Sequence, residues 1–348
     1  MSIKKLLREG LANIYEGNVK SSLSKGSITL FETVKDYYKM SGDHVLDAKN
    51  INELHTFLKE DEEGDFDPFG HGTQPEQGNE VVDENICYLT ISKGNSKLDW
   101  PYLSLPAGYT CPMASVCKSF ASKPGKKFSD GSSLKAASDK TEFGCYAARA
   151  QAQYPAVKKN AFTNLSLLME AQKSGGIEAM TELIVDSIKH AGFEHTKIFR
   201  IHEGGDFFSD NYFKAWIGVA NALPNINFYT HTTSLKFWIA NKGSVPNNMN
   251  LNASMQDDNK DLIIQNDLRY SKVVYSVEDA KEQRLRIDYD DSIACCSDEN
   301  FALLIHGGQP KGSDASKAVS TNKKSGHYDK MKALHKANKP SRQDLLRK

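Results

Sequence analysis

Three cysteines carry the chain's clearest chemistry: Cys111, Cys117 and Cys145 fall within 35 residues. The first two belong to Thr110-Cys-Pro-Met-Ala-Ser-Val-Cys117, a loop expected after a strand at Tyr102–Leu105, with Pro106 and Gly108 marking the exit. Cys145 stands just before an expected helix, where the helix N-terminus would lower its thiol pKa. Three thiolates can hold Zn²⁺ with a fourth ligand, or an iron–sulfur cluster with one open iron. Buried unligated thiols are the plainer alternative. Cys87, Cys295 and Cys296 read as core or incidental residues, any one of which could complete a ligand set.

A second set of polar residues sits where strands should end. In parallel α/β folds chemistry gathers at the carboxyl ends of strands. One expected strand exits through His202-Glu-Gly204-Gly205-Asp206, where Gly lets the backbone turn tightly and approach a ligand. Asp206 can act there as base, nucleophile or ligand, or can simply bond nearby amides at a helix entry. The next strand exits through His231-Thr232-Thr-Ser234, a row of hydrogen-bonding side chains, and another through Asn252-Ala-Ser254. The last exits through His306-Gly-Gly-Gln309-Pro-Lys311, a Gly-rich turn able to offer amides to a phosphate, though without full P-loop spacing. Asp288, Asp290 and Asp291 form an acidic cluster, either a solvated turn or a set that divides acid and base work by splitting its pKa values. Lys118 to Lys140, with six Lys, is a flap able to meet phosphate or a mobile surface loop.

Periodicity supplies the elements that must position these groups. Strands are expected at Ile86–Ile91, 197–202, 226–231, 249–253, 272–276 and 301–306, besides Tyr102–Leu105. Residues 147–191 read as helical. Ser209 can cap a helix whose apolar stripe is Phe213, Trp216, Ala220 and Leu223, ended by Pro224. Short helices are expected at 235–241 and 278–284. This βαβαβ rhythm predicts an α/β fold with a largely parallel sheet. No GxGxxG turn follows any strand, so a TIM-type or partial (β/α) barrel is expected.

Composition bounds the rest. The chain has 348 residues, 44 Lys+Arg and 44 Asp+Glu, for a net charge of zero. That balance excludes a protein that coats nucleic acid by bulk charge, but not a local basic patch. No apolar run approaches the ~18–20 residues of a membrane span, and no signal peptide is visible. Six Cys are too few for a disulfide scaffold, so the chain reads as cytoplasmic. Four regions are expected: a helical N-terminal extension (1–59), an acidic flexible linker (60–84), a barrel-like catalytic domain with a Cys-rich loop insert (85–309), and a basic, poorly ordered tail (310–348). The tail holds 11 Lys/Arg against 3 Asp/Glu.

Taken in order, Ser104-Leu-Pro-Ala-Gly108, Cys-Pro, Cys145-Tyr-Ala-Ala, Arg200-Ile-His-Glu-Gly-Gly-Asp-Phe-Phe208, Tyr229-Thr-His-Thr-Thr-Ser-Leu235, Ile287-Asp-Tyr-Asp-Asp291 and Phe301-Ala-Leu-Leu-Ile-His-Gly-Gly-Gln-Pro310 form a pattern. It resembles the gene product 88 family of phage proteins over roughly residues 95–320. The resemblance implies a phage-encoded protein of the host cytoplasm. A weaker likeness is to phage guanine transglycosylase-like enzymes, which use a TIM-type barrel, active-site aspartates and a Cys-rich zinc site. It implies an enzyme exchanging guanine for a 7-deazaguanine in DNA, with nucleic acid and a small modified-base donor as partners. Asp206, or one of Asp288, Asp290 and Asp291, would attack the sugar, with His202 nearby. Gly204, Gly205, His231, Thr232, Ser234, His306, Gln309 and Lys311 would contact substrate, and Cys111, Cys117 and Cys145 would hold zinc. A radical-SAM-like enzyme is the alternative, with a 4Fe-4S cluster on the three Cys and S-adenosylmethionine at Gly204-Gly205-Asp206. A non-catalytic, zinc-stabilised nucleic-acid-binding protein is the third.

Overall fold

The computed structural model describes residues 88–94, 98, 100–137 and 141–329. The expected N-terminal extension, linker and Cys87 lie outside the described residues. Eight strands form one sheet: β1 (Ile91–Ser92), β2 (Tyr102–Ser104), β5 (Ile198–Gly204), β6 (Asn227–Thr232), β7 (Met249–Met255), β8 (Tyr270–Val274), β9 (Arg286–Ile287) and β10 (Phe301–Leu304). The order across it is β1-β2-β5-β6-β7-β8-β10-β9. Every pairing is parallel except β1 with β2. The mixed α/β class and the mostly parallel sheet therefore match expectation. Barrel closure is not shown, because no ladder joins the edge strands β1 and β9 among the described residues.

The helices follow the sheet. They are α1 (Tyr146–Gln153), α2 (Pro155–His190), α3 (Asp210–Ala222), α4 (Leu235–Ala240), α5 (Lys260–Gln265), α6 (Val277–Glu282), α7 (Ser292–Cys296) and α8 (Asp314–Lys324). Pro155 opens α2 at its first turn, where its missing N–H costs nothing. Gly175 and Gly176 break that helix in its middle. Ser209 caps α3 as expected, its side chain accepting from the Tyr212 amide. Trp216 of α3 is fully buried against Phe199 of β5 and Phe228 of β6, and Phe213 is fully buried beside Phe207. Truncating such an aromatic to Ala costs about 3–5 kcal/mol.

The other sheet face is different. Period-2 alternation turns Arg200, Tyr229 and Asn252 away from the α3 side, toward α7. There Tyr229, Ile293, Cys295 and Phe301 form a smaller core with Trp100. Three sheet side chains, Asn227, Asn250 and Asn252, donate to α7 carbonyls at 2.8, 3.2 and 3.1 Å. Arg269 donates to the Ile293 and Ala294 carbonyls as well.

Three expectations change. The Lys-rich insert is partly ordered as an antiparallel hairpin of β3 (Ser119–Ala121) and β4 (Leu134–Ala136). The basic tail begins as a packed helix, not a poorly ordered segment: Ala315 of α8 is buried, and Asn322 donates to the Tyr275 carbonyl at 2.8 Å. Cys295 and Cys296 place their sulfurs side by side at the end of α7.

Candidate functional site

Parallel strands put the exits of β2, β5, β6 and β7 along one edge, and the cysteines meet Asp206 there. Cys111 and Cys117 lie in the loop between β2 and β3, and Cys145 is the N-cap of α1. The Gly108 amide donates to Cys111 Sγ at 3.4 Å. Gln256, just past β7, points Nε2 at Cys117 Sγ (3.8 Å), while its Oε1 accepts from the Ser115 amide and hydroxyl at 3.1 and 2.6 Å. Burial pushes all three thiols up, Cys117 to about 12. Cys111 and Cys117 are raised further by Asp206 and by the neighbouring thiols, which puts the whole group in one electrostatic neighbourhood. The Ala148 and Ala147 amides pull the Cys145 thiol down, but burial outweighs them. The lowered thiol expected at that helix start is therefore corrected to a raised one. Burial dominates at all three and holds the thiols protonated, so they are not activated nucleophiles. Among the described residues, no group of three or more His, Cys, Asp and Glu side chains is placed to hold a metal ion.

Asp206 is buried and fully engaged. Its Oδ1 accepts from the Phe207 amide (2.7 Å) and Thr232 Oγ1 (2.6 Å). Its Oδ2 accepts from the Thr233 amide (2.7 Å) and hydroxyl (2.8 Å). Burial pushes its pKa up, and these hydrogen bonds only partly offset that. The carboxylate thus ties the exit of β5 to the exit of β6. Ser234 completes the clasp, its hydroxyl donating to the Phe207 carbonyl at 2.8 Å. Thr232 and Ser234 are consumed inside the fold rather than aimed outward.

The glycines before Asp206 serve close approach, but of the chain to itself. A Cβ on Gly204 would stand 3.0 Å from Ala147 Cβ of α1. Gly205 has φ +84°, and a Cβ there would stand 2.6 Å from Leu105 Cβ and on top of Thr110 Oγ1. These two positions let α1 and the Cys111 loop sit directly on β5. Gln309 adds a third tie, its Oε1 accepting from the Gly144 amide at 2.8 Å beside Cys145. His306 is exposed near the Tyr146 ring (6.2 Å between centroids), and Lys311 is exposed.

The remaining candidates lie elsewhere. His202 is buried against α3, bonded to the Tyr212 hydroxyl at 3.1 Å. Burial, aided by Arg200, drives its pKa to about 3, so it is neutral. His231 is on the α7 face, 3.1 Å from Ser271 Oγ, and burial with Arg200 lowers it to about 4. Asp290 accepts from the Ser292 amide at 3.2 Å in the turn before α7. Burial raises Asp288 to about 6, while its Oδ2 accepts from the Ala294 amide at 2.7 Å.

Asp291 anchors a network that sequence reading missed. Arg200 Nη1 and the Tyr229 hydroxyl both donate to its Oδ2 at 2.8 Å. Arg200 Nη2 donates to the Tyr146 hydroxyl at 2.7 Å, and that hydroxyl donates to the Glu203 carbonyl at 2.5 Å. Burial pushes the Asp291 carboxyl up, but Arg200, His231 and Tyr229 outweigh it and hold it below the ordinary carboxylate value. Asp291 also takes a left-handed φ of +62°, uncommon for a residue other than Gly. The network joins the residue after Cys145 to the N-cap of α7. Its signal was the alternation of Arg200 and Tyr229 with Phe199 and Phe228.

Sequence comparison bears on identity rather than chemistry. The chain is similar to the Gene 88 protein of Mycobacterium phage D29, 31% identical over 122 residues, covering 34% of this chain and 50% of that protein. It is similar to the Gene 88 protein of Mycobacterium phage L5, 32% identical over 89 residues, covering 25% and 37%. The chain thus spans half or less of the length of these curated relatives. No solved structure matches. The Gene product 88 family model matches residues 76–325, which contain every described element of the sheet and the three-cysteine site, and the chain belongs to that family.

Proposed function

We propose that the chain is an iron–sulfur enzyme of the radical-SAM type, built on a partial barrel wall and acting on a nucleic-acid or nucleotide substrate. The observation that carries this reading is the gathering of three thiols and Asp206 at the carboxyl edge of a parallel sheet. A cationic metal group would favour the charged form of these thiols, adding to the hydrogen bonds from Gly108, Gln256, Ala147 and Ala148 that already pull that way. A single zinc needs its thiolates all about 2.3 Å from one point. Among the described residues the three cysteines do not converge on one metal ion.

Cys111, Cys117 and Cys145 would hold the cluster. The chemistry such a cluster would supply is one-electron reduction of a bound S-adenosylmethionine. The chain's own part is positioning. Gly204 and Gly205 bring the cysteine loop and α1 onto β5, and Asp206 locks β5 to β6. Gln256 braces the Cys111–Cys117 loop through Ser115. The exposed Lys126, Lys127 and Lys135 of the β3–β4 hairpin favour a phosphate-bearing substrate.

Base exchange by an aspartate nucleophile has less support. All four hydrogen bonds to Asp206 come from within the fold, and the comparisons give no support to a guanine transglycosylase likeness. Anaerobic purification with iron, sulfide and zinc analysis tests the proposal. Brown protein with about four irons per chain, lost in Cys111→Ala, Cys117→Ala and Cys145→Ala, is the expected result. Colourless protein with one zinc overturns it.

A further inference from the structure

The Gly-rich exit of β10 has no part in holding the proposed cluster, yet an arginine is laid against it. Arg149 stands on α1 one turn after Cys145, its amide donating to the Cys145 carbonyl at 3.1 Å. Its guanidinium reaches the turn His306-Gly307-Gly308-Gln309. A Cβ on Gly308 would stand 2.9 Å from Arg149 Nη1 and 3.1 Å from its Cζ. A Cβ on Gly144 would stand 3.5 Å from Arg149 Nη2. Glycine at 308 thus lets the guanidinium lie directly on the main chain of the turn.

Packing accounts for the place of this side chain but not for its charge. Arg149 Nε is buried without a hydrogen-bond partner, and no ion pair or hydrogen bond engages the guanidinium among the described residues. Arg200 is the contrast: its Nε, Nη1 and Nη2 all donate to protein groups. A part-buried cation without a partner is costly unless a ligand brings the anion. The donors of the turn are unspent as well. Gly307 and Gly308 are exposed, and their amides donate to no group among the described residues. Gln309 braces the loop that presents them. Its Oε1 accepts from the Gly144 amide and its Nε2 donates to the His306 carbonyl, both at 2.8 Å. Lys311, exposed just beyond, adds a second positive charge.

We propose that Arg149 and the Gly307–Gly308 amides bind a phosphate group one helical turn from Cys145. The guanidinium fork can take two oxygens of an anion, and the loop amides supply donors from a separate element. A planar carboxylate is satisfied by the fork alone. A phosphate has further oxygens to share and a second charge, which Lys311 complements. The phosphate can be the terminal group of a nucleotide or an internal group of a nucleic-acid strand. Its position beside the third cysteine deepens the iron–sulfur reading and rests on it for the substrate's role, whereas phosphate binding itself does not.

The test titrates full-length, anaerobically purified protein with inorganic phosphate in a calorimeter at constant ionic strength. Phosphate should bind saturably and about tenfold tighter than acetate. Arg149→Gln should weaken it roughly 10–100-fold, the loss expected for hydrogen bonds to a charged group. Arg149→Lys, which keeps the charge without the fork, should recover only part of that. Gly308→Ala, which pushes the guanidinium off the turn, should weaken phosphate about tenfold. Lys173→Gln, exposed on α2, is the control and should change nothing. In wild-type protein, phosphate should also protect Arg149 from phenylglyoxal, read by mass spectrometry, so a poorly folded variant does not decide the matter. A deoxynucleoside 5′-monophosphate that displaces phosphate identifies a terminal group as the ligand. Displacement only by an oligonucleotide without end phosphates identifies the strand backbone. Absence of saturable binding, acetate bound as tightly as phosphate, or an unprotected Arg149 overturns the proposal. Iron content separates the two readings: phosphate held at Arg149 by iron-free protein removes the cluster and leaves this site, and four-iron protein indifferent to phosphate does the reverse.

Discussion

Asp206→Asn tests whether the β5 exit is a clasp. The side chain is 4% exposed, and each oxygen accepts one backbone amide and one hydroxyl. An asparagine replaces one acceptor oxygen with an NH₂ group. A threonine hydroxyl can rotate to accept from it, but the Phe207 or Thr233 amide cannot. One buried amide is then left without an acceptor, which costs about 1–3 kcal/mol. The surviving bonds also lose their charge assistance, roughly half their strength. Against this, the variant no longer buries a charge, the cost that pushes the Asp206 pKa up. The net expectation is a loss of about 2 kcal/mol, between the orphaned amide and the recovered desolvation. Guanidinium unfolding should show a lower midpoint with an unchanged slope. Thr232→Val removes the donor to Asp206 and the acceptor of the Ser234 amide, and should cost about 2 kcal/mol. Because both changes strike one cluster, the double variant should fall short of the sum by at least ~0.5 kcal/mol. Asp206→Asn within ~0.5 kcal/mol of wild type, the range of an ordinary surface change, or strict additivity with Thr232→Val, would refute the clasp.

Gly205→Ala should cost at least ~2 kcal/mol and lower metal content, since its Cβ would press on Leu105 and Thr110. Gly125→Ala, also at positive φ (+72°) but with nothing within 4 Å, is the control and should cost only about 1 kcal/mol, leaving metal content unchanged. Asp291→Asn should cost about 2 kcal/mol in the same unfolding assay, because it leaves Arg200 (side chain 12% exposed) without its carboxylate, a part-exposed pair that merits less than a fully buried one. For pH, His202 and His231 have folded values of about 3 and about 4 against an ordinary 6.5, so their stabilisation is full above 6.5 and is lost as pH falls toward those values. Asp288 acts oppositely: raised from 3.8 to about 6, its contribution is full below 3.8 and lost as pH rises through about 6. Thermal melts should therefore fall from pH 7.5 to pH 4.5, and less steeply in His202→Gln; a rising profile contradicts the two-histidine account.

What the sequence revealed depended on how far each residue's partner lay along the chain. Ser209 and Tyr212 are three residues apart, so the α3 cap was legible. Asp206 and Cys145 were legible too, as residues at a strand exit and a helix start. Their environments were not. Cys117 meets Gln256, 139 residues away, and only the order of the sheet brings them together. Gln256 was passed over because β7 runs to Met255, two residues beyond its predicted end. Helix α7 has five residues, too few to show a 3.6-residue period, and α8 buries little beyond Ala315 and Asn322 beneath a basic surface. The Gly204–Gly205 pair shows the same limit most clearly. Sequence alone says that something approaches the backbone there, and a ligand was one reading. The approaching atoms belong to Leu105, Thr110 and Ala147. The glycines therefore act on chemistry indirectly: they set how closely the Cys111 loop and the Cys145 helix stand to Asp206. A substitution that loosened that approach would spread the thiols before it touched any ligand, so metal content is a more direct readout of this strand exit than turnover.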